Sequence, residues 1–421
     1  MRARPLSLLL SFVLLLGLAS AAQAELSFVP DRRRSQFQKE PAYVAVPYVY
    51  DFPGIGSGFG ILGAAANIYG TNTDVVGTVF FGDVMGEALG IDAIHLIPEK
   101  LILDIGTAHM STVSIQNYSQ RGMATSRHDY TLIEFGDTFF DGARLTATFL
   151  ERRLEAYAGF YGGSTQIKSI RDKDGNVIIE AKGGEKDRSR VAIYGGRVDL
   201  TDDYMDPRRG FRADMSWWRT PPSETGPDFY SIDYNATAFL PLGRRSTWAF
   251  NYYRSDAHVL RQGETDRAVI EQRTGLDCAS LADPEQQRLC YQVIDTTIAG
   301  NTYGSASSLG GMSRLRSYPN GRYTGAHAEF YGTEIRWNLT DETTPFNIIV
   351  MKDIRTAFQI ALFYETGTVA DRRDELWDIR RSSYGTGFRM VTASGLVYRI
   401  DLATGYEGIQ TSIFFQYPWE M

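Results

Sequence analysis

The chain has 421 residues, of which 43% are hydrophobic, and its formal net charge is −7. Its 50 acidic residues outnumber 43 basic ones, so there is no basic excess of the kind that a nucleic-acid-binding surface needs, and no nucleic-acid partner is expected. Aromatic residues and glycine are abundant, with 24 Tyr, 23 Phe and 41 Gly. A chain that is polar on average and rich in these residues is typical of a membrane barrel with a lipid-facing band and a polar interior.

The N-terminus has the pattern of a secretory signal peptide. Two arginines precede a largely apolar run from Leu8 to Leu18, and Ala22-Gln23-Ala24 follows as a small-x-small cleavage pattern. The apolar run is well short of the ~20 residues that a membrane-spanning helix needs. We therefore predict a signal peptide over residues 1–24, a short periplasmic segment over residues 25–41 and a barrel domain over residues 42–421.

From residue 43 onward, alternating apolar and polar residues separated by turn signals predict β-strands almost throughout. No amphipathic helix longer than about three turns is expected, although residues 143–157 could also be drawn as a helix. The predicted strands are 43–50, 57–69, 74–83, 87–97, 100–115, 127–137, 143–164, 188–200, 209–219, 229–240, 246–260, 323–339, 355–369, 382–391, 396–408 and 410–418. Their number is even, as a closed bacterial barrel requires. The sequence therefore predicts an all-β fold, a transmembrane antiparallel barrel of about 16 strands.

Alternation also predicts which face of the C-terminal strands meets lipid. The residues expected to face lipid are Phe358, Ile360, Leu362, Tyr364, Leu396, Tyr398, Ile400, Leu402, Ile413, Phe415 and Tyr417. Glu365, Arg399 and Asp401 are then expected to point into the lumen. The reverse arrangement would place charges in hydrocarbon at a cost of about 2–4 kcal/mol for a basic residue at the bilayer midplane, so the register is well specified.

The longest connection between predicted strands, residues 261–322, contains both cysteines of the chain, Cys278 and Cys290. In an exported chain they predict a local disulfide that closes a surface loop. Short connections alternate with long ones, and long loops are usual on the extracellular side of such barrels. Both termini are therefore expected in the periplasm. A metal site would need two more ligands near the cysteines, and none stands out, so no metal or cofactor is predicted.

Two short patterns near the C-terminal end could form a charged pair. They are Leu315-Arg316-Ser317-Tyr318, in a Gly-rich loop, and Phe363-Tyr364-Glu365-Thr366-Gly367, on an alternating strand. An Arg and a Glu so placed could form a charge-assisted pair inside a water-filled lumen. The patterns resemble a signature of the BamA- and TamA-like outer-membrane assembly factors, whose loop tip folds into the barrel and meets an acidic strand residue. The resemblance implies that the long extracellular loop folds into the lumen and that a loop-tip lock is formed by Arg316, Ser317, Tyr318, Glu365 and Gly367.

Further patterns extend the resemblance. Residues 385–389 look like the family's Gly-x-Gly-x-Arg strand, residues 395–401 look like its Gly-Pro-x-Arg-x-Asp hairpin, and residues 331–336 are similar to the strand just after the loop. The resemblance implies lumen-facing roles for Glu334, Arg336, Gly387, Arg389, Arg399 and Asp401. The chain departs from the family pattern at Ser317, where Gly is usual, and at Glu365, where Asp is usual. Family members carry periplasmic POTRA domains, and here only residues 25–41 are expected before the first strand, so we interpret the chain as a member lacking them.

The resemblance implies an outer-membrane location and a lateral seam between the first and last strands, marked by Val46 and Phe415. Unpaired strand edges at a seam are templates for an incoming strand, or a gap for a lipid. We therefore expect a barrel that assists insertion or translocation of a protein or lipid client. The expected partners are outer-membrane lipid, such clients, and a periplasmic protein that replaces the POTRA domains. The alternative is a passive pore or structural surface barrel without a client, because a barrel of 16 strands can enclose an aqueous channel.

An enzyme is not expected. The sequence has no Gly-x-Ser-x-Gly elbow, and no catalytic residue is nominated. The five histidines are dispersed along the chain, so none forms an evident pair with a nucleophile; they are His95, His109, His128, His258 and His327. The Arg316–Glu365 pair also has a second interpretation, a static brace for the loop that would be useful to any barrel of this lineage.

Overall fold

The computed structural model describes residue 37 and residues 41–221, 226–340, 346–348, 351–354, 356–392 and 396–419. The described chain forms a closed antiparallel barrel of 16 strands, which confirms the predicted all-β fold. The predicted signal peptide, and all of the predicted N-terminal segment except Phe37 and Pro41, lie outside the described residues.

The barrel strands follow one another around the wall in chain order. They are β1 (Ala42–Phe52), β2 (Gly56–Ala66), β3 (Asp74–Gly82), β4 (Met85–Ile97), β5 (Leu101–Tyr118), β6 (Tyr130–Phe149), β7 (Leu154–Arg171), β9 (Asp187–Asp199), β10 (Gly210–Thr220), β11 (Asp228–Pro241), β12 (Ser246–Arg261), β13 (His327–Asn338), β16 (Thr356–Ala370), β17 (Arg381–Thr392), β18 (Val397–Gly405) and β19 (Gly408–Phe415). Three short strands lie in connections: β8 (Val177–Glu180), β14 (Phe346–Ile348) and β15 (Met351–Ile354). Two α-helices, α1 (Arg267–Thr274) and α2 (Pro284–Tyr303), lie between β12 and β13.

The wall strands have the alternating faces that the sequence predicts. On β16, Leu362 and Tyr364 are exposed on the outer face, whereas Ala361 and Glu365 are fully buried on the inner face. Outward apolar side chains and inward polar ones suit a wall with hydrocarbon outside and a polar interior. The connections 119–129, 172–186 and 262–326 all lie at the end of the barrel that carries α1 and α2, which we call the lid end.

The prediction that no helix exceeds three turns is wrong, because α2 has 20 residues. Asp283 caps its start by accepting a hydrogen bond from the backbone N–H of Glu285, and Pro284 occupies the first turn, where its missing N–H is not needed. Among its few buried residues are Cys290, Val293 and Ile294. With so narrow an apolar stripe in a polar segment, the helical period is too weak to recognise in the sequence.

One predicted strand boundary is also wrong. The sequence indicated a break at residues 138–142, but β6 runs unbroken through it, and the turn lies at residues 150–153. Leu150, Glu151 and Arg152 adopt positive φ angles of 51°, 56° and 62° in this turn. None of these residue types marks a turn, so the hairpin has no signature in the sequence. The alternative helix over residues 143–157 is not formed.

We call residues 262–303, which contain α1 and α2, the lid. A disulfide joins Cys278 and Cys290 within it, and both side chains are fully buried. The apolar cluster around it combines residues of the two helices and of the segment between them with residues of β6, β7 and β8: Ile133, Ile170, Ile178, Ile270, Leu276, Val293 and Ile294. The helices are thus packed on extensions of the barrel wall. Neither helix of the described chain is long and apolar enough to cross a membrane.

Replacing both cysteines, Cys278→Ser and Cys290→Ser, should loosen the lid without opening the barrel. Closing a loop of this size contributes about 3 kcal/mol in the chain-entropy description, and that contribution belongs to the lid cluster. We expect faster cleavage of residues 262–303 by protease in intact outer membranes and an unchanged barrel. Ser280→Ala, an exposed site in the same loop, is the matched control. Cleavage at the control rate would contradict the prediction.

Candidate functional site

The connection after α2 turns into the lumen, and three residues with positive φ angles help to place Arg316 there. Gly310 and Gly311 have φ angles of 106° and 104°, and Leu315 has 52°. At Gly310 a Cβ would lie 2.2 Å from the carbonyl oxygen of Pro319, so only glycine fits this approach. The loop is packed by side chains that are completely buried: Leu309, Leu315, Tyr318 and Tyr323. The loop tip is therefore part of the core that fills the lumen.

Arg316 binds three carboxylates that belong to three different wall strands. Its backbone N–H and its Nε each donate to Glu365 on β16, both at 2.9 Å. Nη1 donates to Asp401 on β18 at 3.0 Å, and Nη2 donates to Glu334 on β13 at 3.2 Å. The guanidinium carbon lies 3.4 Å from the ring centroid of Phe363. Burial opposes ionisation of Arg316, but the three carboxylates outweigh it and raise its pKa.

Three further arginines complete this network, which we call the lumen lock. Arg336 donates to Glu334 at 2.7 Å, and Arg389 donates to the same carboxylate through both terminal nitrogens. Arg399 donates to Asp401 and to the carbonyl of Met312 in the loop. Four guanidinium groups thus face three carboxylates, all buried. Removing one member of such a network leaves another charge buried without compensation, which is costly.

The structure brings the remaining predicted lock positions to the same place. The backbone N–H of Ser317 donates to Ser383 Oγ at 2.9 Å, and the hydroxyl of Tyr318 donates to the carbonyl of Ser382 at 3.1 Å. Gly367 and Gly387 leave room for neighbours, because an added Cβ would lie 2.7 Å from Leu309 and 2.3 Å from Asp401 respectively. All the residues expected in the loop-tip lock and the lumen-facing set therefore surround one site. Their role as a functional lock stays a prediction.

Two lumen residues that sequence reasoning missed come from the segment after β19. Tyr417 was expected to face lipid, and this prediction is wrong, because the chain turns inward at Gln416, where φ is 94°. The Tyr417 hydroxyl donates to Asp206 at 2.6 Å, and the Trp419 indole N–H donates to Glu365 at 3.1 Å. Alternation predicts faces only while a strand stays extended. Pro418, which cannot donate to a ladder, was the available sign that the strand ends there.

The junction between β1 and β19 is the weakest in the wall. Its ladder has one pair, Asp51 with Ile413. The edge of β1 over residues 44–50 has no ladder partner on that side among the residues described. Val46 and Phe415, the predicted seam positions, lie on these two strands but do not pair with each other. We call this junction the seam.

Pro47 gives a physical reason for the weak junction. It pairs with Ile61 within a ladder that joins β1 to β2 continuously. Proline has no N–H, so in an unbroken ladder its backbone must face away from β2, toward β19. By alternation, the other seam-facing backbone groups of β1 belong to Tyr43, Ala45, Val49 and Asp51. The middle of this edge lacks the N–H donor that Pro47 does not have. It is covered in part, because the Val49 carbonyl accepts a hydrogen bond from the Tyr398 hydroxyl at 3.1 Å.

Comparison with known proteins supports the fold. No protein-family model and no curated protein matches the sequence. Among solved structures, CdiB from Escherichia coli matches with a TM-score of 0.52 at 11% identity, over 90% of this chain and 62% of that one. BamA from Haemophilus ducreyi lacking POTRA domains 1-3 matches with a TM-score of 0.46 at 11% identity, over 91% of this chain and 75% of that one. The similarity to CdiB supports the fold, a closed antiparallel barrel. The chain spans less than two thirds of the length of CdiB.

No metal site accompanies the lumen lock in the described part of the chain, where no group of three or more His, Cys, Asp or Glu side chains is placed to hold an ion. Every carboxylate of the lock instead accepts hydrogen bonds from arginine. The site is therefore built for charge pairing between a loop and the wall. Its geometry can hold the loop against three wall strands.

Replacing Arg316 with alanine should destabilise the barrel by about 3–5 kcal/mol, because three buried carboxylates lose a shared partner. We expect a lower temperature of heat-induced unfolding on detergent gels and protease cleavage within residues 305–325. The matched control is Arg288→Ala, whose partner Glu285 is 62% exposed, and it should cost at most about 1 kcal/mol.

Adding Glu365→Gln to Arg316→Ala should restore part of the lost stability, because it removes one of the uncompensated charges. The same unfolding measurement tests this recovery. An Arg316→Ala barrel as stable and as protease-resistant as the control would refute the bracing role of the lumen lock.

Proposed function

We propose that this chain is a non-enzymatic outer-membrane barrel that assists the insertion or translocation of a protein or lipid client through the seam. The observation that carries the proposal is the single ladder pair between β1 and β19, Asp51 with Ile413. The next shortest ladder between described wall strands, β3 with β4, has seven pairs. In lipid every unpaired backbone group costs several kcal/mol, so the seam is where the wall gains most from a new partner.

The exposed backbone of β1 favours an extended polypeptide as the client. Ala45 offers both an N–H and a carbonyl at the seam, Pro47 offers a carbonyl, and Val49 offers an N–H. An incoming strand could satisfy all of these groups by adding to the edge, as strands do in β-augmentation. A lipid tail could fill the gap but could not form these hydrogen bonds. A lipid client is therefore the weaker form of the proposal.

The lumen lock supports this function by making one side of the seam rigid. Arg316 ties β13, β16 and β18 to the loop, and Glu365 also accepts from Trp419, which follows β19. The wall on the β19 side is thus braced from inside. On the other side β1 is held mainly by its ladder with β2. Movement that opens the seam would accordingly fall on β1 and β2.

The proposal places the lid end outside the cell and the opposite end in the periplasm. The exposed apolar side chains of the wall would contact outer-membrane lipid. A periplasmic protein that delivers clients would meet the short connections, among them residues 98–100 and 242–245. Such a partner would capture clients and deliver them to the seam.

A photo-crosslinking amino acid at Val49 should capture client polypeptides in living cells. Val49 is 53% exposed on the outer face of β1, beside the unpaired edge. Val46, on the opposite face of β1, and Phe415 on β19 test the same seam. Phe250, 36% exposed on the outer face of β12, is the matched control because both neighbours of β12 pair along its length. The proposal fails if Val49 captures only β19 or the same lipids as Phe250.

The passive pore or structural surface barrel stays as the alternative prediction. A pore would require a path past the loop and the lid helices. Purified protein in planar bilayers should then show steady openings whose ion selectivity changes with Arg316→Ala, and Val49 should capture no client. Absence of openings, together with client capture, would exclude this alternative.

A further inference from the structure

We infer that the β14–β15 hairpin is a latch on the seam, which occupies one end of the β1 edge and must be released before a client strand can add along it. This inference rests on the proposed function, because it assigns a control to the same edge. The observations behind it come from another part of the chain, the connection between β13 and β16.

The hairpin reaches an edge far from its own place in the wall. Its strands pair with each other at Phe346 with Ile354 and at Ile348 with Met351. β15 then pairs antiparallel with β1 at Lys352 with Tyr43. In the order of the wall, β16, β17, β18 and β19 stand between β13 and β1. β15 therefore pairs with a strand that is a wall neighbour of neither β13 nor β16.

Joining β13 to β16 does not require this excursion. The two strands are direct neighbours, paired from His327 with Ala370 to Asn338 with Gln359. A hairpin between neighbouring strands commonly needs about 2–5 residues, whereas residues 339–355 are used here. The extra length accordingly needs another explanation, and its contact with β1 provides one.

The contact lies on the seam edge of β1. The other edge pairs with β2 over the whole strand, from Ala42 with Ala66 to Phe52 with Gly56. β15 must therefore use the edge that faces β19. That edge is held at Asp51 by Ile413 and at Tyr43 by Lys352, with residues 44–50 between. A client strand that pairs along the whole edge has to displace β15 from the Tyr43 end.

The hairpin pairs with a part of the β1 edge that β19 does not reach. β15 and β19 are both antiparallel to β1, so they run in the same direction along it. β19 ends at Phe415, and the next residues turn into the lumen, where Tyr417 and Trp419 are bound. β15 therefore stands roughly where a straight continuation of β19 would lie. β15 thus takes the position beside β1 that a longer β19 would occupy.

The composition and the short ladder suit a reversible cover. Phe346, Ile348, Met351 and Ile354 give the two strands an apolar and β-prone sequence, like that of a strand destined for a barrel wall. An isolated two-stranded hairpin is marginally stable, so it gains from pairing with β1. Among the residues that the structure describes, one ladder pair joins β15 to β1. A client strand that forms several pairs can replace it.

The test uses the full chain in outer membranes and a disulfide that fixes the latch. Tyr43 and Lys352 are directly opposed in the ladder, and opposed Cα atoms in an antiparallel pair lie ~4.5–5.5 Å apart, within the range that a disulfide between Tyr43→Cys and Lys352→Cys spans. Phe346→Cys with Ile354→Cys is the matched control, because it ties the hairpin to itself and not to β1. Both pairs are combined with the photo-crosslinking amino acid at Val49. Maleimide labelling reports whether each disulfide has formed.

Oxidation of the Tyr43→Cys, Lys352→Cys variant should join its two introduced thiols and lower client capture at Val49 by about tenfold or more, since β15 fixed at Tyr43 prevents a strand from pairing along the whole edge. Reduction should restore capture, and the control pair should keep it throughout. Lys352→Pro, which removes the N–H facing β1, should raise capture above that of the native chain.

The outcomes separate the latch from the function on which it rests. If both introduced thiols stay reactive with maleimide under oxidant, the hairpin does not sit on β1 and the latch is refuted. If the disulfide forms and capture is unchanged, the latch is refuted while the seam function stands. If neither the native chain nor Lys352→Pro captures a client, the proposed function fails and the latch fails with it.

Discussion

The organisation of the lumen depends on one buried guanidinium. Arg316 has no access to solvent and divides its donors among Glu365, Asp401 and Glu334. A buried charge is tolerated only when its partners are in place, and the rigid fork of a guanidinium meets carboxylates in fixed directions. The loop tip can therefore occupy one position. Once it does, the apolar side chains on both sides of it, among them Leu309, Leu315 and Tyr318, fill the lumen.

The lumen lock braces the β19 side of the seam and, within the described part of the chain, makes no contact that holds β1 in the same way. Glu365 serves both Arg316 and Trp419, so the group that fixes the loop also holds the segment after β19 inside the barrel. A segment bound in the lumen cannot continue the wall, which leaves the Tyr43 end of the β1 edge to β15. Pro47 removes a donor from the middle of the same edge. The locked interior and the weakly closed wall are thus two results of the same contacts.

Much of the fold was predictable because it depends on a period of two. The lumen and lipid faces of β16 and β18, the even number of strands and the long connections at one end all follow from alternation and turn signals, which are local properties of the chain. The same method failed where the local signal was missing. The turn at residues 150–153 uses residue types that rarely form one, and α2 buries too few residues to show a helical period.

The sequence by itself determined the class of fold, the direction in which most wall side chains point, and the residue types of the charged pair formed by Arg316 and Glu365. The tertiary structure alone decided that Arg316 also meets Asp401 and Glu334, that Tyr417 and Trp419 enter the lumen, and that β15 reaches β1. The physical reason is distance along the chain. Alternation links residues two apart, whereas these contacts join segments separated by tens to hundreds of residues, and closure of the barrel brings them together.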